Sequence, residues 1–302
     1  MGFQRERVVE LVTEFYRDHG ADEGTELLVA SNLDDAIGLA VVRGVDARFS
    51  EKFFRLAPTA AQDLGGVLHV AGGMHDLVFD HVVRQESERS RFRTGAVLVA
   101  SADAAAALPD SLRVAVRCGL GWLIAAERTA ILVPSPVMRV TEGRPDVLHD
   151  DTGRMAVVWL DGTGYYFLHG LHFGKRLYFQ VIDHQLLIQD IAALGNADQR
   201  AIALQYMTFE QLVEDSDAQL LDKGVRGTSL YRLKLPPRLA DDRKPGHGGY
   251  DYFIHMRDAS HPEREFIEWV DPDIGKQRHA ELCQAWAFGV SLDEWLSIEQ
   301  EG

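Results

Sequence analysis

The sequence predicts an α+β fold: a mainly helical N-terminal half, then a small antiparallel β-meander packed with helices. Three observations predict it. Apolar residues near the start recur at three-and-four spacing, Pro134-Ser135-Pro136 breaks the helical pattern, and short strand-like runs separated by Asp/Gly turns follow. The expected regions are residues 1–138, mainly helical, and 139–302, α+β with the meander, with one shared core left open.

Val8, Val9, Leu11, Val12, Phe15 and Tyr16 form one helical face that ends near Gly20. A second helix is expected from Glu26 to about Val42 through Leu27, Leu28, Ala36, Ile37, Ala40 and Val41, with weaker helical periods at Ser50–Leu64 and Asp76–Glu88. Leu112–Ala126 reads either as a buried helix or as two apolar pieces turning at Gly119 and Gly121. Proline lacks the amide donor and restricts the residue before it, so a module boundary is placed near Pro136–Val140.

Beyond it, Leu148–Asp151, Met155–Leu160 and Tyr165–Leu168 are strand-like, punctuated by Asp151-Thr152-Gly153 and Asp161-Gly162-Thr163-Gly164, residues suited to tight turns. Helical spacing returns at Leu186–Leu194 and Asn196–Tyr206, and Thr208-Phe209-Glu210-Gln211 reads as a capping box leading into Phe209–Leu221. Strands are expected at Leu230–Leu235, Tyr250–Met256 and Glu265–Val270, with an exposed loop at Arg238–Gly249. Gln277–Phe288 is expected to be a helix stopped by Gly289, and Ser291-Leu292-Asp293-Glu294 to cap a last one.

The chain of 302 residues, 46% hydrophobic and 25% charged, has the composition of an ordinary globular protein. Its net charge of −15 repels a nucleic-acid backbone, and no apolar run reaches the length of a membrane span. Residues 1–140 carry −4 and residues 141–302 carry −11, which suits either a well-solvated surface or a basic protein partner. Two cysteines, Cys118 and Cys283, in apolar contexts read as core residues of a cytoplasmic protein, and the N-terminus has no signal core.

No P-loop, dinucleotide fingerprint, Gly-x-Ser-x-Gly elbow, HExxH or paired CxxC is present. His69, His75 and His81 recur every six residues, a period that fits neither helix nor strand, and read as chance. His149, His169 and His172 with Asp151, Asp161 and Asp183 could converge on a hairpin mouth, either as turn supports or as metal ligands. Alternation in Tyr165-Tyr166-Phe167-Leu168 puts Tyr165 and Phe167 on one side and Tyr166 and Leu168 on the other, one pair in the core and the other either in cross-strand aromatic packing or free for contact. The expected ligand- or partner-binding residues are His149, Asp151, Asp161, Tyr166, His169, His172 and Phe173.

Cys118-Gly119 with Trp122, Leu148-His149-Asp150-Asp151-Thr152-Gly153 with Ala156, and Asp161-Gly162-Thr163-Gly164-Tyr165-Tyr166-Phe167-Leu168-His169-Gly170 occur in this order. Asn196-Ala197-Asp198-Gln199-Arg200, Leu230-Tyr231-Arg232-Leu233 and Ala285-Trp286-Ala287-Phe288-Gly289 follow. In these features residues 118–288 resemble an uncharacterised bacterial domain family, common in actinobacteria and sometimes accompanied by leucine-rich repeats. Leu123 and Arg154-Met155 stand where that family usually has a second tryptophan and a Gly-Pro pair. The resemblance implies no activity and no cofactor. It directs attention to His149 and His169.

Two functions are therefore expected of the sequence. One is a non-catalytic binding or regulatory module that contacts a protein or small ligand through the meander face, with an immunity-type cover for a basic partner as a special case. The alternative is a metal-dependent enzyme or metal-binding switch using His149, His169 and His172 with Asp151 or Asp161.

Overall fold

A computed structural model describes residues 2–18, 24–43, 61–63, 67–70, 74–75, 77–79, 81–82, 97–102, 108–126, 129–236, 239, 250–257, 261 and 264–298. It falls into two compact units, Met1–Lys175 and Arg176–Gly302.

In the first unit, helix α1 (Arg5–Asp18) buries Val8, Leu11, Val12, Phe15 and Tyr16, the face expected from their spacing. The stretch expected to be one helix from Glu26 is strand β1 (Glu26–Val29) followed by helix α2 (Leu33–Arg43). Asn32 explains the break: its Oδ1 accepts the Asp35 amide at 2.8 Å while Asp35 Oδ2 accepts the Ser31 amide at 3.0 Å, so the helix begins there.

Strands β2 (Ala61–Asp63), β3 (Val67–Val70) and β4 (Val97–Ser101) follow, then helix α3 (Asp110–Arg117), β5 (Leu120–Ala126) and β6 (Thr129–Pro134). They make a six-stranded sheet in the order β1-β6-β5-β4-β3-β2, parallel at β1/β6 and β3/β4 and antiparallel elsewhere. The expectation of a mainly helical N-terminal half is thus corrected. Strands β4, β5 and β6 are apolar runs, and β5 and β6, buried on both faces where they are described, lack the polar alternation that would distinguish them from buried helix.

Trp122, Ile124, Ile131 and Val133 pack with Ala36, Ile37 and Ala40 of α2. Leu123, Ala130 and Leu132 face Val8, Leu11, Phe15, Leu112 and Ala115 of α1 and α3. Cys118 and Gly119 form the turn between α3 and β5, which resolves the two readings of Leu112–Ala126. The weak helical period over Ser50–Leu64 falls outside the described residues except at β2, and that over Asp76–Glu88 is helical at residues 77–79, 81 and 82, where it is described.

The meander consists of β7 (Val137–Met138), β10 (Val157–Val158), β11 (Gly164–Leu168) and β12 (Leu171–Phe173), ordered β12-β11-β10-β7. A side ribbon pairs β8 (Val140–Thr141) with β9 (Arg144–Leu148). Leu148, Ala156, Val157, Trp159 and Phe167 join the same core as Trp122, and Trp159 Nε1 donates to the Pro134 carbonyl at 3.1 Å. The meander therefore belongs to the first unit, which ends at residue 175 where the sequence placed a boundary at 138. At the β10/β11 turn, a Cβ on Gly164 would lie 2.0 Å from the Val157 carbonyl oxygen.

The second unit contains α4 (Lys175–Ile182, starting at the last residue of the first), α5 (Ile188–Ala193), α6 (Ala197–Gln205) and α7 (Phe209–Asp215). An antiparallel sheet of β13 (Gln219–Lys223), β14 (Ser229–Leu233), β15 (Asp251–Arg257) and β16 (Glu265–Val270) comes next, then α8 (Pro272–Gly275), α9 (Ala280–Ala287) and α10 (Leu292–Ser297). Thr208 and Gln211 form the expected capping box, as do Ser291 and Glu294. The helix expected over Phe209–Leu221 stops at residue 215: Asp217 adopts φ +50°, and Gln219–Lys223 pairs with β14. Leu230, Tyr252, Ile254 and Val270 meet Ala280 and Cys283 of α9, while Leu233, Phe253, Ile267 and Trp269 meet Ile188, Phe209 and Leu212. The loop expected at Arg238–Gly249 lies outside the described residues apart from Leu239. No helix among the described residues is long and apolar enough to cross a membrane.

Candidate functional site

Two turns meet at one end of the meander. The β11/β12 hairpin closes with His169 at φ +48° and Gly170 at φ +82°, the pair of left-handed conformations that a two-residue hairpin loop requires. The loop after β9 is zipped to it: the Gly170 amide donates to the Leu148 carbonyl at 2.8 Å, and the Asp150 amide to Phe167 at 3.1 Å.

Asp150 fixes that loop from beneath. Its Oδ1 accepts the Thr152 amide at 2.9 Å and the Thr152 hydroxyl at 2.6 Å, while Oδ2 faces Arg139 Nε at 3.4 Å and Arg154 Nε at 3.2 Å. Burial alone would raise the proton affinity of this carboxyl. The Thr152 donors and the Arg154 charge outweigh burial and hold it below the usual aspartate range.

Above this base, the His149 and His169 rings stack at 4.5 Å with 27° between their planes. His149 Nδ1 accepts the His169 amide at 3.2 Å, so the ring carries its proton on Nε2, which stands 3.6 Å from Asp151 Oδ2. Asp151 is half exposed and His169 exposed, whereas only 14% of the His149 side chain is accessible. Burial and the neighbouring His149 lower the proton affinity of His169, with Asp151 pulling weakly the other way. The result is a preorganised polar surface: a carboxylate able to receive a cation, beside stacked imidazoles.

The other expected residues sit elsewhere. Asp161 is exposed in the β10/β11 turn, where Oδ1 accepts the Thr163 amide and hydroxyl, and Oδ2 accepts Asn32 Nδ2 at 2.8 Å. Burial opposes ionisation there, but these donors hold Asp161 below the usual aspartate range. His172 pairs with Phe167 in register and lies against His81 at 4.2 Å, Tyr165 at 5.7 Å and Phe167 at 5.6 Å. Burial pushes its pKa down to about 4. The Tyr165 hydroxyl donates to Asp34.

Of the expected contact residues Tyr166 and Phe173, which pair across β11/β12, Phe173 is fully buried and Tyr166 half-buried, and on each side that alternation defines one residue is buried, Phe167 beside half-buried Tyr165 and Leu168 beside Tyr166. Alternation assigns a side to each residue; it cannot say that both sides are covered.

The structure also gives partners to two histidines whose six-residue spacing read as chance. His75 Nε2 lies 2.9 Å from Ser135 Oγ and the ring packs on Trp122, while His81 meets Tyr165, Phe167 and His172. Their partners lie 47 to 91 positions away in the chain, beyond any local spacing signal. Among the described residues, no group of three His, Cys, Asp or Glu side chains is placed to hold a metal ion, and His172 lies in a different cluster from His149 and His169. No family model matches the chain, and comparison with curated proteins and with solved structures returns no match.

Proposed function

We propose that the protein is a non-catalytic binding module that receives a cationic side chain of a basic protein partner at the turn end of its meander. The observation that carries this reading is the half-exposed Asp151 carboxylate beside the stacked His149 and His169, on a loop braced by buried Asp150. A braced loop spends little ordering entropy on binding, so the carboxylate acts at its full electrostatic value. The net charge of −15 adds long-range attraction for a basic surface.

In the same reading the chain acts in the cytoplasm, supported by two unbridged cysteines, and belongs to the uncharacterised bacterial family it resembles over residues 118–288. Calorimetric titration with a short arginine-rich peptide and its glutamate counterpart tests the role. The arginine peptide binds and the glutamate peptide does not, and Asp151→Asn weakens binding roughly fivefold to tenfold, about 1 kcal/mol. Equal affinity of Asp151→Asn and the unaltered protein for the arginine peptide overturns the site assignment.

A further inference from the structure

We infer that His149 is a proton-operated latch: neutral, it holds the β11/β12 hairpin turn and leaves Asp151 open; protonated, it releases the turn and takes Asp151 for itself. The inference rests on the binding role proposed above and supplies its regulation.

The geometry is one of mutually exclusive partners. With Nδ1 accepting the His169 amide at 3.2 Å, the only place for a second proton is the atom that already faces a donor. Two N–H groups cannot point at each other, so the protonated ring must turn away from the hairpin and break its 4.5 Å stack on His169. The new cation does have a partner within reach. Nε2 already stands 3.6 Å from Asp151 Oδ2, just beyond hydrogen-bonding distance, and a small rotation closes that gap. One proton therefore exchanges a neutral hydrogen bond to the backbone for an ion pair that occupies the carboxylate a partner would use.

The charged surroundings leave His149 as the variable group. On the hairpin, His169 is a neighbouring imidazole whose proton affinity burial and His149 reduce. On the loop, Asp150 is matched by Arg154 and, from the segment between β7 and β8, by Arg139. That group stays ionised through the imidazole range, so the base of the loop does not move. Asp151 is the carboxylate within reach of Nε2.

The test uses the full chain, isotope-labelled and treated with chelator, followed by NMR through an acid titration from neutral pH. At the upper end His149 shows the Nε2–H tautomer. As it protonates, hydrogen exchange at the His169 amide accelerates about tenfold or more, in step with the His149 ring signals. Affinity for the arginine peptide falls about tenfold over the same range, and His149→Asn, whose carbonyl can accept the amide without titrating, removes that dependence. His149→Ala exchanges fast at every pH, and melting curves establish that both variants fold. An Nδ1–H tautomer near neutral pH, or exchange at His169 that ignores the protonation of His149, overturns the latch whatever the peptide does. A latch that opens on schedule in a protein that never binds the cationic peptide supports the latch and overturns the binding role.

Discussion

The meander contains the same turn twice, and the two copies differ in what stands behind them. In Asp150-Asp151-Thr152 and in Asp161-Gly162-Thr163, the aspartate Oδ1 accepts the threonine amide at 2.9 Å and its hydroxyl at 2.6 and 2.7 Å respectively. The local bonding is interchangeable. The second oxygen is not: Asp150 is 5% exposed and faces two arginines, whereas Asp161 is exposed and meets one asparagine at the start of α2. Local sequence makes the turn, and the distant partner decides how much of the protein depends on it.

The largest expected break in this comparison is Asp150→Ala. It leaves Arg139 partly buried without its carboxylate and frees the loop, which costs about 3 kcal/mol and is read from denaturant unfolding. Asp161→Ala costs about 1 kcal/mol in the same assay, because water replaces most of what it loses. Similar losses for the two variants would mean that burial does not separate the turns. The Asn32→Ala, Asp161→Ala cycle then shows a coupling of about 0.5 to 1 kcal/mol between those two residues.

Acid separates the hairpin from both turns. The folded protein keeps His172 neutral down to about pH 4, while the unfolded chain protonates it near its ordinary value of 6.5. Its contribution is present above pH 6.5 and is lost as pH falls toward 4; discounted for partial exposure, the loss is about 1–2 kcal/mol. Asp150 and Asp161 are held below the usual carboxylate range, so their contributions fade only below it. Unfolding curves of His172→Phe lack the upper phase and keep the lower. The smallest effect belongs to Asp151→Asn, which changes stability by less than about 0.5 kcal/mol even as it weakens peptide binding.

What the sequence made legible was local. Val8 through Tyr16 reveal α1 by spacing, Thr208/Gln211 and Ser291/Glu294 reveal helix starts by their capping boxes, and the Asp/Gly turns reveal the meander. What stayed hidden depends on distant chain. Glu26–Val29 becomes a strand because Thr129–Leu132 lies beside it, and no property of the four residues states that. In the candidate site, His149, Asp151 and His169 were legible because they sit at turns. Phe173 was misread because burial on both faces is a tertiary fact, and His81 escaped because its partner His172 is distant in sequence.

The close approach at the β10/β11 turn has a consequence for engineering. Gly162 adopts φ +82° in open space, a conformation that Asn and Asp also tolerate, so in a saturation library that column keeps a few members. Gly164, two positions on, has the Val157 carbonyl oxygen 2.0 Å from where any Cβ would be. Its column stays empty, and an inserted epitope or label placed at residue 162 would survive where the same insertion at residue 164 would cost the hairpin.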